Sequence, residues 1–135
     1  MRNLIIVALS LLLFNCTPKE ESRVIFEEGT FVLDFGECQI QDNLQVCFLT
    51  VEDSRCPKDA ICVWEGQAEI DLKVTIDGEE STLSLIARVG EAYADLAVGT
   101  VGSYEFTLTD VSPHPESGET VEDEEYIVTI EVIEL

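Results

Sequence analysis

Residues 68–76 constrain the fold more than any other stretch, because apolar and polar side chains alternate there without a break. Such an alternation places one face of a β-strand in a core and the other in water. Residues 77–78, Asp-Gly, follow directly and favour the type I′ turn of a two-residue hairpin. Turn chemistry and alternation then agree on one register. That register predicts two facing apolar pairs, Leu72 with Leu83 and Ile70 with Leu85.

The rest of the chain also predicts strands, since no stretch after residue 23 has the apolar period of an amphipathic helix. Residues 88–102 are less regular and predict either a loop or a short strand around 96–98. About seven short strands separated by turn signals are typical of a small antiparallel β-sandwich, with an open barrel as the alternative. The predicted strands cover residues 24–28, 31–35, 44–49, 68–76, 83–85, 104–109 and 126–133.

The N-terminus has the layout of a secretory signal peptide. Arg2 precedes an apolar run over residues 4–14, which is shorter than the roughly 20 residues that a transmembrane helix needs. Residues 13–16, Leu-Phe-Asn-Cys, resemble the lipobox of bacterial lipoproteins, although Asn15 stands where Gly, Ala or Ser is usual. This resemblance implies that Cys16 becomes the N-terminus and carries acyl chains such as palmitate. The alternative is an ordinary signal peptide with an incidental cysteine.

Three segments follow from this interpretation: a lipoprotein signal peptide (1–15), a lipidated N-terminus with a flexible tether (16–23), and a single β-sandwich domain (24–135). Residues 19–21, Lys-Glu-Glu, resemble the acidic export signal of surface-exposed lipoproteins in Bacteroidota. The resemblance implies an outer-membrane protein that is exposed at the cell surface. The alternative is the same anchor facing the periplasm.

The protein is strongly acidic, with a formal net charge of −21. Removal of residues 1–15 makes the charge −22, because that segment contains Arg2 and no acidic residue. Such a surface repels nucleic acid, so no nucleic-acid partner is expected. The expected partners are the membrane, through the lipid anchor, and an envelope protein or a cationic molecule. The alternative is that the charge serves solubility alone.

Four cysteines follow the lipidation site, and an even number in an exported chain predicts disulfide bonds. Of the three possible pairings we favour the local one, because each bond closes a short loop. Zinc ligands and thioredoxin-like redox sites usually need a C-x-x-C pair, which the sequence lacks. The favoured disulfides are Cys38–Cys47 and Cys56–Cys62.

Residues 53–66 are the most distinctive segment and are called the corner below. Asp53 and Ser54 favour a turn by bonding to nearby backbone amides, and either an Asp53–Arg55 bond or a bond from Arg55 to the backbone would fix that turn. We expect Arg55 to lie over the ring of Trp64, the single tryptophan. Gly66 suits either a bulge or a close backbone approach at the start of the hairpin strand. The favoured interpretation is that this segment only holds a loop in place. The alternative is that Asp53, Arg55 and Trp64 form a binding site at one end of the sandwich.

The corner also carries a resemblance. The order D-S-R-C-P, four residues, then C-x-W-x-G-x-A over residues 53–68 resembles the signature of a Bacteroidota-type lipoprotein family with no assigned activity. Glu65 stands where that family usually has Ala. Residues 104–108, 113–115 and 126–128 resemble the same family, so the resemblance covers most of residues 31–135. It supports the fold and the location and implies no mechanism.

No enzyme motif or cofactor motif is present, so we predict a protein that is not an enzyme. The single histidine, His114, stands between two prolines and is expected in an exposed loop. The leading hypothesis is a cell-envelope lipoprotein that acts as a non-catalytic binding or structural module. The alternatives are a calcium-binding adhesion-like module and, less favoured, a hydrolase with an unrecognised carboxylate site. The weak calcium-ligand candidates are Glu119, Glu122, Asp123 and Glu124.

Overall fold

The computed structural model describes residues 29–135. The predicted signal peptide, Cys16, the tether and the predicted strand at 24–28 lie outside the described residues. Eight strands form two four-stranded sheets in which all neighbours are antiparallel. The strands are β1 (Gly29–Asp34), β2 (Cys38–Gln41), β3 (Leu44–Asp53), β4 (Ala68–Ile76), β5 (Glu79–Ala87), β6 (Val98–Val101), β7 (Tyr104–Ser112) and β8 (Ile127–Glu134).

The two sheets pack face to face as a β-sandwich, which confirms the predicted fold class. One sheet has the order β1-β8-β7-β6 and the other the order β2-β3-β4-β5. The open barrel is not formed, because each sheet keeps its own two edge strands. Buried side chains from both sheets form one core, and its largest fully buried members are Phe48 and Phe106. Burial of each such side chain contributes about 1.5–3 kcal/mol to folding.

The β4–β5 hairpin has the predicted register, with Leu72 opposite Leu83 and Ile70 opposite Leu85. The turn residues Asp77 and Gly78 have φ angles of 51° and 88°. Positive φ at both central positions defines the type I′ turn, whose twist matches that of the flanking strands. The predicted hairpin is therefore confirmed in both its turn and its pairing.

The structure differs from the sequence prediction in its shortest elements. Six predicted strands fall within residues 29–135, and the short strands β2 and β6 bring the number there to eight. A 3₁₀ helix occupies Glu91–Ala97, so the short strand expected around residues 96–98 begins only at Val98. A second 3₁₀ helix, Asp123–Glu125, precedes β8. No helix within residues 29–135 combines the length and the apolar character that crossing a bilayer requires.

The strands place the corner and Gly29 towards opposite ends of the sandwich. Gly29 pairs with Val132, close to the end where Tyr104 pairs with Glu134. The corner begins at the other end, where Asp53 pairs with Ala68 on β4. The ends of β5 and β7 and the first 3₁₀ helix lie at this second end, because all of them line one groove with the corner.

Candidate binding groove

The corner begins with a nearly buried ion pair at the end of β3. The Arg55 guanidinium donates to the Asp53 carboxylate through Nε, at 2.9 and 3.1 Å, and through Nη2, at 2.6 Å. The backbone N–H of Arg55 also donates to Asp53 Oδ1, at 3.0 Å. These contacts confirm the expected turn at Asp53 and the expected Asp53–Arg55 bond. Only 12% of the Arg55 side chain and 3% of the Asp53 side chain are exposed.

Arg55 also joins the two sheets. Its Nη1 donates to the carbonyl oxygen of Val111 at 2.7 Å, and its Nη2 donates to that of Pro113 at 2.9 Å. Both carbonyls belong to the end of β7 or to the chain directly after it, in the sheet opposite β3. The guanidinium therefore has its donors directed at fixed acceptors. This makes Arg55 a structural residue with little capacity left for a ligand.

Tyr126, the residue directly before β8, completes this cluster. Its hydroxyl donates to Asp53 Oδ2 at 3.0 Å. Burial and the hydrogen bond to Asp53 raise the pKa of Tyr126 to about 12. Burial of the Asp53 carboxyl opposes its ionisation, but the hydrogen bonds and the charge of Arg55 outweigh this effect, so the pKa of Asp53 lies below its usual value. Asp53, Arg55 and Tyr126 thus form a satisfied polar cluster.

Gly66 allows the two arms of the corner to approach each other closely. The backbone N–H groups of Ser54 and Cys56 donate to the carbonyls of Gln67 and Glu65, both at 2.8 Å. Gly66 lies between these two bonds with a φ of 68°, and a Cβ atom there would overlap the Ser54 carbonyl oxygen. Only glycine fits this backbone conformation without a rearrangement. The expected close approach is confirmed.

Beyond these arms, the disulfide Cys56–Cys62 closes a loop that is fastened to the chain after β7. Both predicted disulfides are present in the structure. His114 Nε2 lies 2.9 Å from the Cys56 carbonyl oxygen, and the Lys58 N–H donates to the Pro115 carbonyl at 3.0 Å. Asp59 accepts a hydrogen bond from the Ser117 N–H at 2.8 Å. The loop is consequently held in a defined position although it lies on the surface.

Trp64 has a different partner from the one expected. Arg88, rather than Arg55, lies over its ring, with the guanidinium carbon 5.1 Å from the ring centre. The same guanidinium lies 3.9 Å from the ring centre of Tyr93 in the first 3₁₀ helix. Arg55 is directed away because Asp53 and two backbone carbonyls hold it. Of the three residues predicted as a binding site, Asp53 and Arg55 are therefore together, while Trp64 belongs to a separate contact.

A groove of about 630 Å³ lies between the disulfide loop, the first 3₁₀ helix and the end of β7. A bulge between Leu108 and Asp110 interrupts the β7–β8 pairing, and these residues line the groove floor. Ligand sites for small molecules typically have volumes of about 300–1,000 Å³. The apolar side chains that line the groove are Ala60, Ile61, Ala87, Val89, Ala94, Ala97, Leu108 and Val111.

Large apolar side chains stand in solvent around the groove. Ile61 and Val63 in the corner are fully exposed, and Trp64 and Val89 are 69% and 66% exposed. None of them contributes to the core of the sandwich. Scattered exposed apolar residues are common, but a group of them beside one groove is typical of a surface that contacts another molecule.

No protein-family model, curated protein or solved structure matches this chain.

In the acidic loop before β8, Glu122 and Glu125 are joined by two hydrogen bonds, each from a backbone N–H to the other residue's carboxylate. The Glu122 N–H donates to the Glu125 side chain at 2.9 Å, and the Glu122 side chain accepts from the Glu125 backbone. This reciprocal arrangement is a capping box, which satisfies the N-terminus of the second 3₁₀ helix. Within residues 29–135, no three His, Cys, Asp or Glu side chains are grouped as a metal site. The calcium-binding hypothesis for Glu119, Glu122, Asp123 and Glu124 stays a prediction.

The sequence prediction missed Arg88, Tyr93 and the helix that carries Tyr93. Arg88 follows β5 directly and enters the groove because β5 ends at the corner end of the sandwich. The sequence offered one local indication of this pair: an arginine at the end of a strand is followed five residues later by a tyrosine in an irregular segment. That signal does not reveal that Trp64, from a distant part of the chain, lies on the same guanidinium.

Proposed function

We propose that the protein is a lipid-anchored, non-catalytic binding module of the bacterial outer membrane, and that the groove is its binding site. The observation that carries this proposal is the groove of about 630 Å³ beside the solvent-exposed side chains of Ile61, Val63 and Trp64. Loops that are fixed on a rigid sheet scaffold commonly carry recognition. A corner that only held a loop would have no need for apolar side chains in water.

The position of the groove also supports the proposal. Gly29, the first described residue, lies towards the end of the sandwich opposite the corner, and the proposed tether (16–23) precedes it in the chain. An anchor on that side leaves the groove facing away from the membrane. The binding site is then accessible to molecules outside the cell envelope, or to periplasmic molecules if the anchor faces inward.

The chemistry of the groove argues against catalysis. The four cysteines in the described part of the chain form two disulfides, so they supply no thiolate nucleophile. His114 is the single histidine, and its Nε2 contacts the Cys56 carbonyl oxygen instead of a nucleophile. Nucleophilic catalysis requires a nucleophile within hydrogen-bond reach of a base. Neither the disulfide-bonded cysteines nor His114 forms such a pair among the described residues, which supports the proposal of a binding module.

The anchor is tested by metabolic labelling with palmitate in the cells that make the protein. We expect label on the full chain and none on the Cys16→Ser variant, which in turn is released from the membrane fraction. A matched Cys62→Ser variant keeps the label, because Cys62 is paired with Cys56 and carries no lipid. Unlabelled wild-type protein would overturn the anchor.

Use of the groove is tested by photo-cross-linking in intact cells. A benzophenone amino acid replaces Ala94, which lines the groove, and Ser103 serves as the control because it is an exposed turn residue at the other end of the sandwich. We expect a defined cross-linked product from position 94 that position 103 does not give. Equal products, or none, from the two positions would overturn the groove as the binding site.

A further inference from the structure

We propose that the groove binds a small organic carboxylate with an apolar body, and that Arg88 binds the carboxylate. This inference rests on the proposed function, because it names the class of ligand for the same groove. Three features of the groove support it: the state of Arg88, the charges around Arg88, and the apolar walls.

Arg88 is held in a position that leaves its hydrogen-bond donors available. The guanidinium packs against the rings of Tyr93 and Trp64, at 3.9 and 5.1 Å from their centres. Stacking uses the face of the planar group, whereas its N–H donors point outward in the plane. A stacked arginine is thus restrained in orientation and can still form two parallel hydrogen bonds to a carboxylate. Such restraint lowers the entropy cost of binding.

Arg88 is also the exception among the cations of the described chain. Four Lys and Arg residues fall within positions 29–135, and three of them form ion pairs. Arg88 has no carboxylate within 4.0 Å among the described side chains, in a protein with 28 acidic residues. A guanidinium without a carboxylate partner in so acidic a chain indicates that it binds an anion from outside the protein. The three pairs are Arg55–Asp53, Lys58–Glu116 and Lys73–Glu80.

The other charged side chains of the groove favour a ligand whose charge sits entirely on Arg88. Arg55 and Lys58 line the groove but already pair with Asp53 and Glu116. Glu65 and Asp110 also line the groove and repel any negative charge that extends beyond the Arg88 fork, as the second charge of a phosphate dianion would. A carboxylate carries one charge and matches the arginine fork in geometry. The groove chemistry therefore points to a carboxylate in preference to a phosphate.

The walls of the groove define the rest of the ligand. Ile61 stands on the disulfide loop, Ala94 and Ala97 on the first 3₁₀ helix, and Leu108 on β7. These side chains offer apolar contact on three sides of a volume of about 630 Å³. That volume suits a small molecule, whereas a stable protein partner covers about 800 Å² per side. The ligand then places its apolar body on these walls and its carboxylate on Arg88.

The test uses two probes with the same apolar body, cyclohexanecarboxylate and the neutral cyclohexanecarboxamide. Each is titrated into the ¹⁵N-labelled full chain while the backbone amides of Ala60, Ala94 and Ala97 are followed by NMR. We expect the carboxylate to shift these amides and the carboxamide to bind about tenfold more weakly, because it lacks the charge-assisted hydrogen bonds. The amides serve as the readout because their residues line the groove.

Three variants assign the effect to Arg88. Arg88→Gln is expected to abolish the preference for the carboxylate, and Arg88→Lys to retain part of it, since the charge remains but the fork is lost. Lys73→Gln removes the same charge outside the groove and is expected to bind like the wild type. The unperturbed amides of the β4–β5 hairpin in each spectrum show that the variant is folded.

Each outcome has a separate meaning for the two proposals. Equal affinity for the two probes, or an unchanged preference in Arg88→Gln, overturns the carboxylate inference and leaves the groove as a binding site. No amide shift with either probe also overturns the inference. The cross-linking at Ala94 tests whether the groove is a binding site at all, and its result does not depend on the charge of the ligand.

Discussion

Arg55 binds Asp53 across a single intervening residue, and the same guanidinium reaches the carbonyls of Val111 and Pro113 in the opposite half of the sandwich. One side chain thereby connects the end of β3 with the end of β7. The ion pair is nearly buried, with 12% and 3% of the two side chains exposed. Removing one partner from such a pair leaves a charge without compensation, which costs more than the pair itself contributes.

We therefore expect Asp53→Asn to lower the free energy of unfolding by about 3 kcal/mol. Arg55 would keep its two carbonyl acceptors but lose its counter-charge. Glu80→Gln is the matched control, because it removes one partner of the exposed Lys73–Glu80 pair, whose expected contribution is below about 1 kcal/mol. Urea denaturation at neutral pH measures both variants. Similar losses for the two variants would contradict the structural role of Asp53.

The raised pKa of Tyr126 predicts that the protein loses stability in alkaline solution. Its pKa is raised from an ordinary value of 10.0 to about 12 in the folded protein. The folded state therefore holds the phenolic proton more tightly, so this group stabilises the fold below about pH 10 and loses that effect as the pH approaches 12. We expect the unfolding free energy of the wild type to fall over this interval more steeply than that of Tyr126→Phe.

The same variant has a second expected effect at neutral pH. Tyr126→Phe removes one hydrogen bond to the ionised Asp53, which we expect to cost about 1.5–3 kcal/mol. Its urea midpoint is therefore lower than that of the wild type at pH 7, and the difference narrows above pH 10. Parallel curves for the two proteins at all pH values would show that the Tyr126 hydroxyl does not act through Asp53.

Two glycines with positive φ allow backbone strain to be separated from overlap. Gly78, in the hairpin turn, has φ 88° and open space where a Cβ would stand. We expect Gly78→Ala to lower the unfolding free energy by about 1 kcal/mol from the backbone conformation alone. Gly66→Ala adds an overlap with the Ser54 backbone, so we expect about 3 kcal/mol. Thermal denaturation of both variants provides the comparison, and a smaller loss at Gly66 would be inconsistent with the close approach.

The features predicted correctly from the sequence are local ones. The β4–β5 register follows from an alternating strand and a two-residue turn that are adjacent in the chain. Both disulfides join cysteines separated by only 6 and 9 positions, so their pairing needed no knowledge of the fold. The Asp53–Arg55 bond spans two residues and was accessible for the same reason. In each case, short-range chemistry alone determines the contact.

The features missed depend on how distant segments pack. Arg88 meets Trp64 only because the end of β5 and the corner lie at the same end of the sandwich. Arg55 was expected on that ring, but its actual acceptors lie 56 and 58 positions away in the chain. β6 has four residues, and its length gives too few alternations for a clear period. Long-range pairing and very short elements therefore set the limit of the sequence prediction.

The two disulfides should contribute similarly to stability, because they close loops of similar size at different places in the fold. Closing loops of 6 and 9 positions should stabilise the fold by about 2 and 2.5 kcal/mol, through the lower entropy of the unfolded chain. Cys56→Ala/Cys62→Ala and Cys38→Ala/Cys47→Ala should therefore have similar urea midpoints.

The two double variants should differ in their effect on the groove. Only Cys56→Ala/Cys62→Ala should loosen the groove wall, because the Cys56–Cys62 loop forms that wall while Cys38 pairs with Cys47 across β2 and β3. Hydrogen exchange at the amides of Lys58 and Ala60, which donate to the carbonyls of Pro115 and Pro57, measures this difference. We expect faster exchange in the first variant and wild-type rates in the second, and equal rates in both would mean that the loop keeps its position without its disulfide.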